Sequence, residues 1–439
     1  MNPVARKRNG ISRMAIAVAA AVALLSTSCS SESDTEVPSA LTSAESEGEK
    51  EKSRTDPIEF SEKPLWSKKP LDEDGSDSLR FSGTSVLGDK VAFVRRDNES
   101  AEHLTVAKAK SGKTVWELTD GDTIKGSDGL RADHPEVDPL GGADAEALLV
   151  AYVKPTTLAD GSSGEENGIA ALSLKDGSML WSVPVVTGPQ HGYFMFLAAT
   201  SDSHVAVDLS DHSGEEDVSK LVMVDYKKRE VVWQKEWLEA AAIIDDTVIV
   251  DKFKPDGDNL DHVTAMGLKV SSGKTRWELD HDKDPDVLTA TNDAAVVDSG
   301  GSVLILDPKS GDQRAKLAIA ATECYFDGES TLACQSSKDT DSAPASVISI
   351  IEVTDSTAKA SQVSGTDRDE LSGIYKGRIF VERLVDQRNE LTVLDTSGKT
   401  IAEQLPGSLA DITDDYAAFV RIAENFAETD IMSVHKVEI

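Results

Sequence analysis

The chain has 439 residues, 39% hydrophobic and only 5% aromatic, with 30 Gly and 15 Pro. That composition fits neither a collagen-like nor a wholly disordered polypeptide. Its 45 Lys and Arg stand against 78 Asp and Glu, a net charge of −33, which argues against nucleic acid or anionic lipid as an electrostatic partner, because both demand a basic surface.

The first 13 residues carry Arg6, Lys7, Arg8 and Arg13 and no acid, and the apolar run 14–25 follows. That run is too short to span the ~30 Å of bilayer hydrocarbon, yet it suits the core of a signal peptide. Ser26, Thr27 and Ser28 then lead into Cys29, after which the chain turns polar. Small residues directly before a lone Cys resemble the bacterial lipobox, with Ser26 where that motif usually has Leu and Leu25 one step earlier. The resemblance implies cleavage before Cys29 and a diacylglycerol thioether on its sulfur; ordinary secretory cleavage, with Cys29 incidental, is the alternative. Two acyl chains anchor stably where one does not. Residues 1–28 are therefore expected to be a lipoprotein-type signal peptide. Residues 29–62, rich in Ser and Glu, are expected to be a disordered tether, with too little apolar surface to offset the entropy of ordering.

Residues 63–439 repeat. A turn precedes Trp by four residues at Gly112–Trp116, Gly177–Trp181 and Gly273–Trp277, and Arg229 takes the Gly place before Trp233. Weaker copies run from Gly311 to Ala315, Thr357 to Ser361 and Gly398 to Ala402, and Leu65-Trp66-Ser67 reads like Leu180-Trp181-Ser182. The eight positions lie on average about 48 residues apart. A second marker, turn residues followed by alternating apolar residues, also recurs eight times: at 88–94, 144–153, 202–209, 245–250, 292–297, 327–334, 376–381 and 414–420. Such alternation predicts β-strands. A third strand ending in a polar turn lies between the markers, as at 104–111, 169–176 and 221–228. Four strands per unit at this period predict propeller blades. The segment 237–242 is expected to be a connector. Because Trp66 belongs to a fourth strand with no first strand before it, and the C-terminus lacks a fourth strand, residues 64–69 are expected to pair with 433–438. The predicted fold is all-β: an eight-bladed β-propeller of four-stranded antiparallel blades, closed by its own N- and C-terminal strands.

Stretches such as Val393-Leu394-Asp395-Thr396-Ser397-Gly398-Lys399 and Ser111-Gly112-Lys113-Thr114-Val115-Trp116 resemble the pyrroloquinoline-quinone-type (PQQ-like) repeat. The resemblance spans about 64–439. It implies that Trp66, Trp116, Trp181, Trp233 and Trp277 dock between adjacent blades, each indole N–H bonded to a neighbouring main chain. The family includes quinoprotein dehydrogenases, outer-membrane assembly lipoproteins and extracellular sensor domains, so the likeness speaks for fold more than for function.

Little in the sequence points to catalysis. Quinoprotein dehydrogenases typically carry a vicinal Cys pair and a calcium site, and no two Cys are adjacent here. Cys324 and Cys334 flank a predicted hairpin turn and are expected to form a disulfide, worth about 2–3 kcal/mol for so short a loop. Asp256, Asp258 and Asp261 are weak candidates for Ca²⁺ in an acidic loop that does not match an EF-hand. The eight His show no metal spacing, and neither a G-x-S-x-G elbow nor a Walker loop is present. No catalytic residue and no cofactor is expected. Trp237 alone of the six Trp falls outside the repeat and could serve a small sugar site. The reading is of a monomeric, exported and lipid-anchored binding platform at the extracytoplasmic face. It would have protein partners in the envelope, met by the loops 121–142 and 155–167. An envelope-assembly factor, a ligand sensor and a PQQ-dependent dehydrogenase are the alternatives.

Overall fold

A computed structural model describes residues 59–438 apart from 62, 69–80, 97–100, 141–144, 191–192, 212–217, 257–258, 280–284, 292, 328–329, 339–344, 354–357, 365–368, 386–387, 406 and 422–430. The signal segment, Cys29, most of the tether and Asp258 lie outside the described residues, as do the side chains of Asp256 and Asp261.

The described residues form eight antiparallel sheets arranged as propeller blades. Blade one runs Phe81–Leu87, Lys90–Arg96, Glu102–Lys108 and Thr114–Thr119. Blade two is built from Arg131–Ala132 and Asp138–Leu140, both paired with Ala147–Thr157, then Ser163–Ser173 and Met179–Pro189. Blade three is Tyr193–Thr200, His204–Asp211, Val218–Asp225 and Glu230–Glu236; blade four is Leu238–Ile244, Thr247–Asp256, Asn259–Lys269 and Thr275–Glu278. Blade five is Asp286–Ala290, Ala295–Asp298, Val303–Leu306 and Gln313–Leu317, and blade six is Glu323–Phe326, Thr331–Lys338, Ala345–Val353 and Ala358–Ser364. Blade seven is Glu370–Tyr375, Arg378–Val385, Arg388–Leu394 and Thr400–Leu405. The first strands of neighbouring blades touch one another, as Tyr193–Thr200 touches Leu238–Ile244 and Asp286–Ala290 touches Glu323–Phe326. They therefore surround the axis.

The middle strands are apolar at successive residues because both faces of each blade are covered. In Ala147–Thr157, Leu148 and Val150 pack toward blade one with Ala92, Val94 and Leu104. Leu149 and Ala151 pack toward blade three with Val205 and Val207. The period-two geometry of a strand thus divides one apolar run between two interblade layers.

Blade eight contains Ser408–Ile412, Tyr416–Arg421 and Ile431–Glu438 from the C-terminus. Trp66–Lys68 completes it from the N-terminus, with Trp66 opposite Val434 and Lys68 opposite Met432. A second short strand, Glu59–Phe60, pairs with the same C-terminal strand. The ring thus begins four residues before the predicted boundary at 63, inside the segment expected to be tether. The reason is apolar burial: the Phe60 ring packs edge-on against Phe419 at 5.2 Å. Between the two pieces, the Ser61 carbonyl lies 2.8 Å from Nδ1 of the buried His435.

Two further expectations change. Residues 238–244 are the first strand of blade four rather than a connector. The loop expected at 121–142 carries the short strands Arg131–Ala132 and Asp138–Leu140, and the one expected at 155–167 is shortened to 158–162, because the hairpin of blade two extends through Thr157 and Ser163.

Candidate functional site at the axial mouth

The repeat Trp residues fasten blade to blade. Trp66 Nε1 donates to Ala109 O (2.5 Å), Trp116 to Leu174 O (3.3 Å), Trp233 to Val270 O (2.5 Å) and Trp277 to Pro308 O (3.0 Å). Each acceptor stands three residues before the turn glycine of the next blade. The absence of a side chain there is what admits the indole: a Cβ on Gly112 would lie 2.7 Å from Trp66, and one on Gly311 would lie 2.6 Å from Trp277. In blade three the same turn places Tyr226 at the acceptor position and Arg229, with φ 61°, at the glycine position. Trp181 stacks on the Tyr226 ring there at 5.4 Å. Trp237 is half-buried at a positive φ of 61°, its N–H donating to Ser219 O and its carbonyl accepting from Phe253 N. Cys324 and Cys334 oppose each other in blade six and are joined as a disulfide. All of these are fastenings of the ring.

A second fastening was not read from the sequence. From the fourth or fifth place of the second strand in blades four to seven, Asp251, Asp298, Gln335 and Glu382 reach to the first strand of the next blade or the segment just before it. Asp251 accepts from Val287 N (3.0 Å) and Gln335 from Leu371 N (2.6 Å). Asp298 accepts from the Ala321 backbone and Glu382 from the Ser408 hydroxyl. The local signal is an apolar triplet closed by an acid or amide, as in Val248-Ile249-Val250-Asp251 and Ile379-Phe380-Val381-Glu382. In a sequence with 78 acids that signal is faint.

Directly across the strand pair from these residues stand Glu239, Asp286, Glu323 and Glu370. They occupy equivalent places near the start of the innermost strand in four successive blades. These starts lie on the face that carries the interblade connections, here termed the upper face. Like charges so opposed disfavour the ionised forms. Burial first, then Glu370, raises the Glu382 carboxyl, and burial with a lesser contribution from Asp286 raises Asp298. The axial mouth is thus acidic along this arc.

The opposite sector, between blades one and three, has a different composition. Arg96 Nη2 meets Glu102 Oε1 at 2.5 Å, and His134 Nδ1 lies 3.6 Å from Glu102 Oε2. His134 sits at φ 44°, its backbone N–H donating to Asp120 Oδ1. Its pairing with Glu102, opposed by partial burial and aided by Asp133 and Asp120, raises its pKa to about 9. Val137 packs toward Gly83 of blade one, and Glu136 and Asp138 flank it in the chain. Burial, reinforced by Glu102, raises Glu136; burial, reinforced by Glu136, raises Asp138 well above the usual carboxylate range. Glu136 is exposed, and Asp138 is half-buried with its Oδ2 sealed from solvent. Phe194 and Phe196, on the first strand of blade three, expose 43% and 44% of their surface, and the Phe194 ring lies 6.5 Å from His134.

Carboxylates beside exposed aromatic faces suit a cation. They do not suit pyrroloquinoline quinone, itself a tricarboxylate, which the acids of this mouth would repel. Among the described residues no group of three or more His, Cys, Asp and Glu is placed to hold a metal ion.

A family model described as outer membrane protein assembly factor BamB matches residues 165–333, from blade two to blade six. BamB from Moraxella catarrhalis superposes with a TM-score of 0.47 at 13% identity, over 86% of this chain and 99% of that one. A europium-containing methanol dehydrogenase gives 0.51 at 10% identity, over 86% and 93%. The β-propeller domain of the trilobed protease from Pyrococcus furiosus gives 0.42 at 10% identity, over 74% and 98%. At these identities the similarity to the dehydrogenase speaks to fold alone. No curated protein matches the chain.

Proposed function

We propose, from the premise that the chain is a β-propeller of PQQ-like repeats, that it is a non-catalytic binding platform of the cell envelope, exported and held at the membrane through Cys29. The observation that carries this reading is the axial mouth, where the described residues present carboxylates and exposed Phe rings, a lining that would repel an anionic quinone. The match of residues 165–333 to an assembly-factor model supports an envelope setting, and the basic and apolar N-terminal segments with Cys29 support export and anchoring. A closed ring holds its upper-face residues at fixed spacing, which favours recognition by a preformed surface.

The test has two parts. Calorimetry of the Cys29→Ser chain with pyrroloquinoline quinone and Ca²⁺, beside a dye-linked alcohol oxidation assay, is expected to give neither binding nor turnover. Micromolar binding with turnover would replace the platform by a quinoprotein dehydrogenase. Metabolic palmitate labelling of the wild type and of Cys29→Ser is expected to mark only the former, and equal labelling would remove the anchor from the reading.

A further inference from the structure

The upper face between blades one and three holds a carboxyl group that no fastening accounts for. Among the described residues the Asp138 side chain makes no hydrogen bond or ion pair, and its Oδ2 is sealed from solvent without a partner. A buried acid left in this condition is costly unless something compensates it. The two cations nearby do not, because both Arg96 and His134 are engaged with Glu102. Glu136 adds a second carboxyl within electrostatic reach of Asp138. Phe194 and Phe196 lie on the adjoining first strand with much of their surface open, and Phe194 flanks His134. Aromatic faces stabilise a cation by about 0.5–2 kcal/mol, most when it is desolvated. A strongly hydrated metal ion would gain little from them, whereas an ammonium or guanidinium group would gain from both the acids and the rings.

We propose that this sector, bounded by Glu136 and Asp138 of blade two, the Glu102–His134 pair and Phe194 and Phe196 of blade three, binds an organic cation: the ammonium or guanidinium group of a free amine or of a basic peptide segment. The inference rests on the binding-platform reading and names the chemistry of what the platform takes. The net charge of −33 raises the local concentration of any such ligand, and the sector supplies selectivity over the rest of the acidic surface.

The experiment is calorimetry of the Cys29→Ser chain with spermine and, separately, with an unstructured Lys/Arg-rich peptide, at low and physiological salt. Saturable binding of either probe is expected, about tenfold weaker in Asp138→Asn and several-fold weaker in Phe196→Ala. Glu230→Gln, at an exposed acid on an outer strand, is expected to bind as the wild type does. Binding of spermine identifies a free amine as the source, and binding of the peptide alone identifies a protein segment. Should Asp138→Asn fold poorly by its thermal transition, Phe196→Ala and Glu136→Gln carry the test. Absence of binding by both probes overturns the proposal, as does an equal loss in Glu230→Gln, which would mean diffuse attraction to a polyanion. The outcome is separable from that of the platform reading: quinone turnover would refute the platform without touching amine binding, and failed amine binding would leave the platform in place with another ligand.

Discussion

The ring fastens itself in two ways, and the two are unevenly distributed. From blade eight through blade four an indole on the outer strand enters the turn of the next blade. From blade five through blade seven that place is held by Ala315, Ser361 and Ala402. In this second arc the interblade layers are filled by aliphatic side chains, such as Ile319, Leu332 and Ile351 between blades five and six. Ile348, Ile350, Leu371 and Ile374 do the same between six and seven. The disulfide Cys324–Cys334 lies in the same arc. The Gln335 amide adds a double contact there, accepting from Leu371 N and donating to Asp369 O (3.3 Å). Close packing of successive blades is the common requirement, and a single large aromatic or several small apolar groups with polar pins both meet it. In both arcs aliphatic side chains fill the interblade layers; each Trp joint adds one large indole to its layer, whereas the other arc adds smaller groups, polar pins and a disulfide.

Removing one side chain should therefore cost more in the first half. Trp277→Ala empties a site only 8% exposed and abandons the Pro308 carbonyl; it is expected to destabilise by about 3–5 kcal/mol, read as a shift of the urea midpoint. A loss under about 1 kcal/mol would contradict a fastening role for the indole.

The seam between blades eight and one should respond to pH. Asp411 there accepts from Val86 N (2.6 Å) and Ser85 Oγ (3.1 Å), and burial raises its pKa to about 6 against these hydrogen bonds. The folded chain thus holds this proton more tightly than the unfolded one. Its contribution is fully present below the unfolded pKa, near 4, and is lost as pH rises through about 6. As pH falls through that range the wild type should gain up to about 3 kcal/mol relative to Asp411→Asn. Parallel pH–stability curves for the two proteins would refute the assignment.

In the second arc, Cys324→Ala with Cys334→Ala is expected to cost about 2–3 kcal/mol, the value of closing a short loop. Reduction of the unfolded wild type before refolding should give the same deficit. The smallest effect is expected at the joint where the repeat departs from glycine. Arg229→Gly removes a side chain from a left-handed backbone and should stabilise by up to about 1 kcal/mol, measured as a rise in melting temperature. A fall would mean that the Arg229 side chain contributes more than its backbone costs.

The outer fastening was legible because it joins two rare signals, a turn glycine and a Trp, at one spacing repeated along the chain. The inner one was not, because Asp251, Asp298, Gln335 and Glu382 share a place in the blade without sharing a residue type. The axial mouth was still less legible. Glu136, Asp138 and Phe194 are brought beside Glu102 only by the stacking of three blades, and nothing local marks that stacking. The misreading of 237–242 has a similar origin. Leu238-Glu239-Ala240-Ala241-Ala242 is rich in helix formers, and its place at the axis, where a paired innermost strand is required, overrides that propensity. Phe60 was assigned to the tether because one aromatic among polar residues carries no periodicity, though a single ring on Phe419 suffices to dock it.

The route of the chain into the ring has a mechanical meaning. Residues before Glu59 lead straight into the pieces Glu59–Phe60 and Trp66–Lys68, which are hydrogen-bonded to Ile431–Glu438. Any pull transmitted along the N-terminal segment thus enters the ring at its clasp, where the first and last parts of the chain meet. Force is loaded there onto backbone hydrogen bonds, the Phe60–Phe419 contact and the seated Trp66 before it reaches any other blade. The joint that closes the circle is also the joint that would bear the molecule's weight.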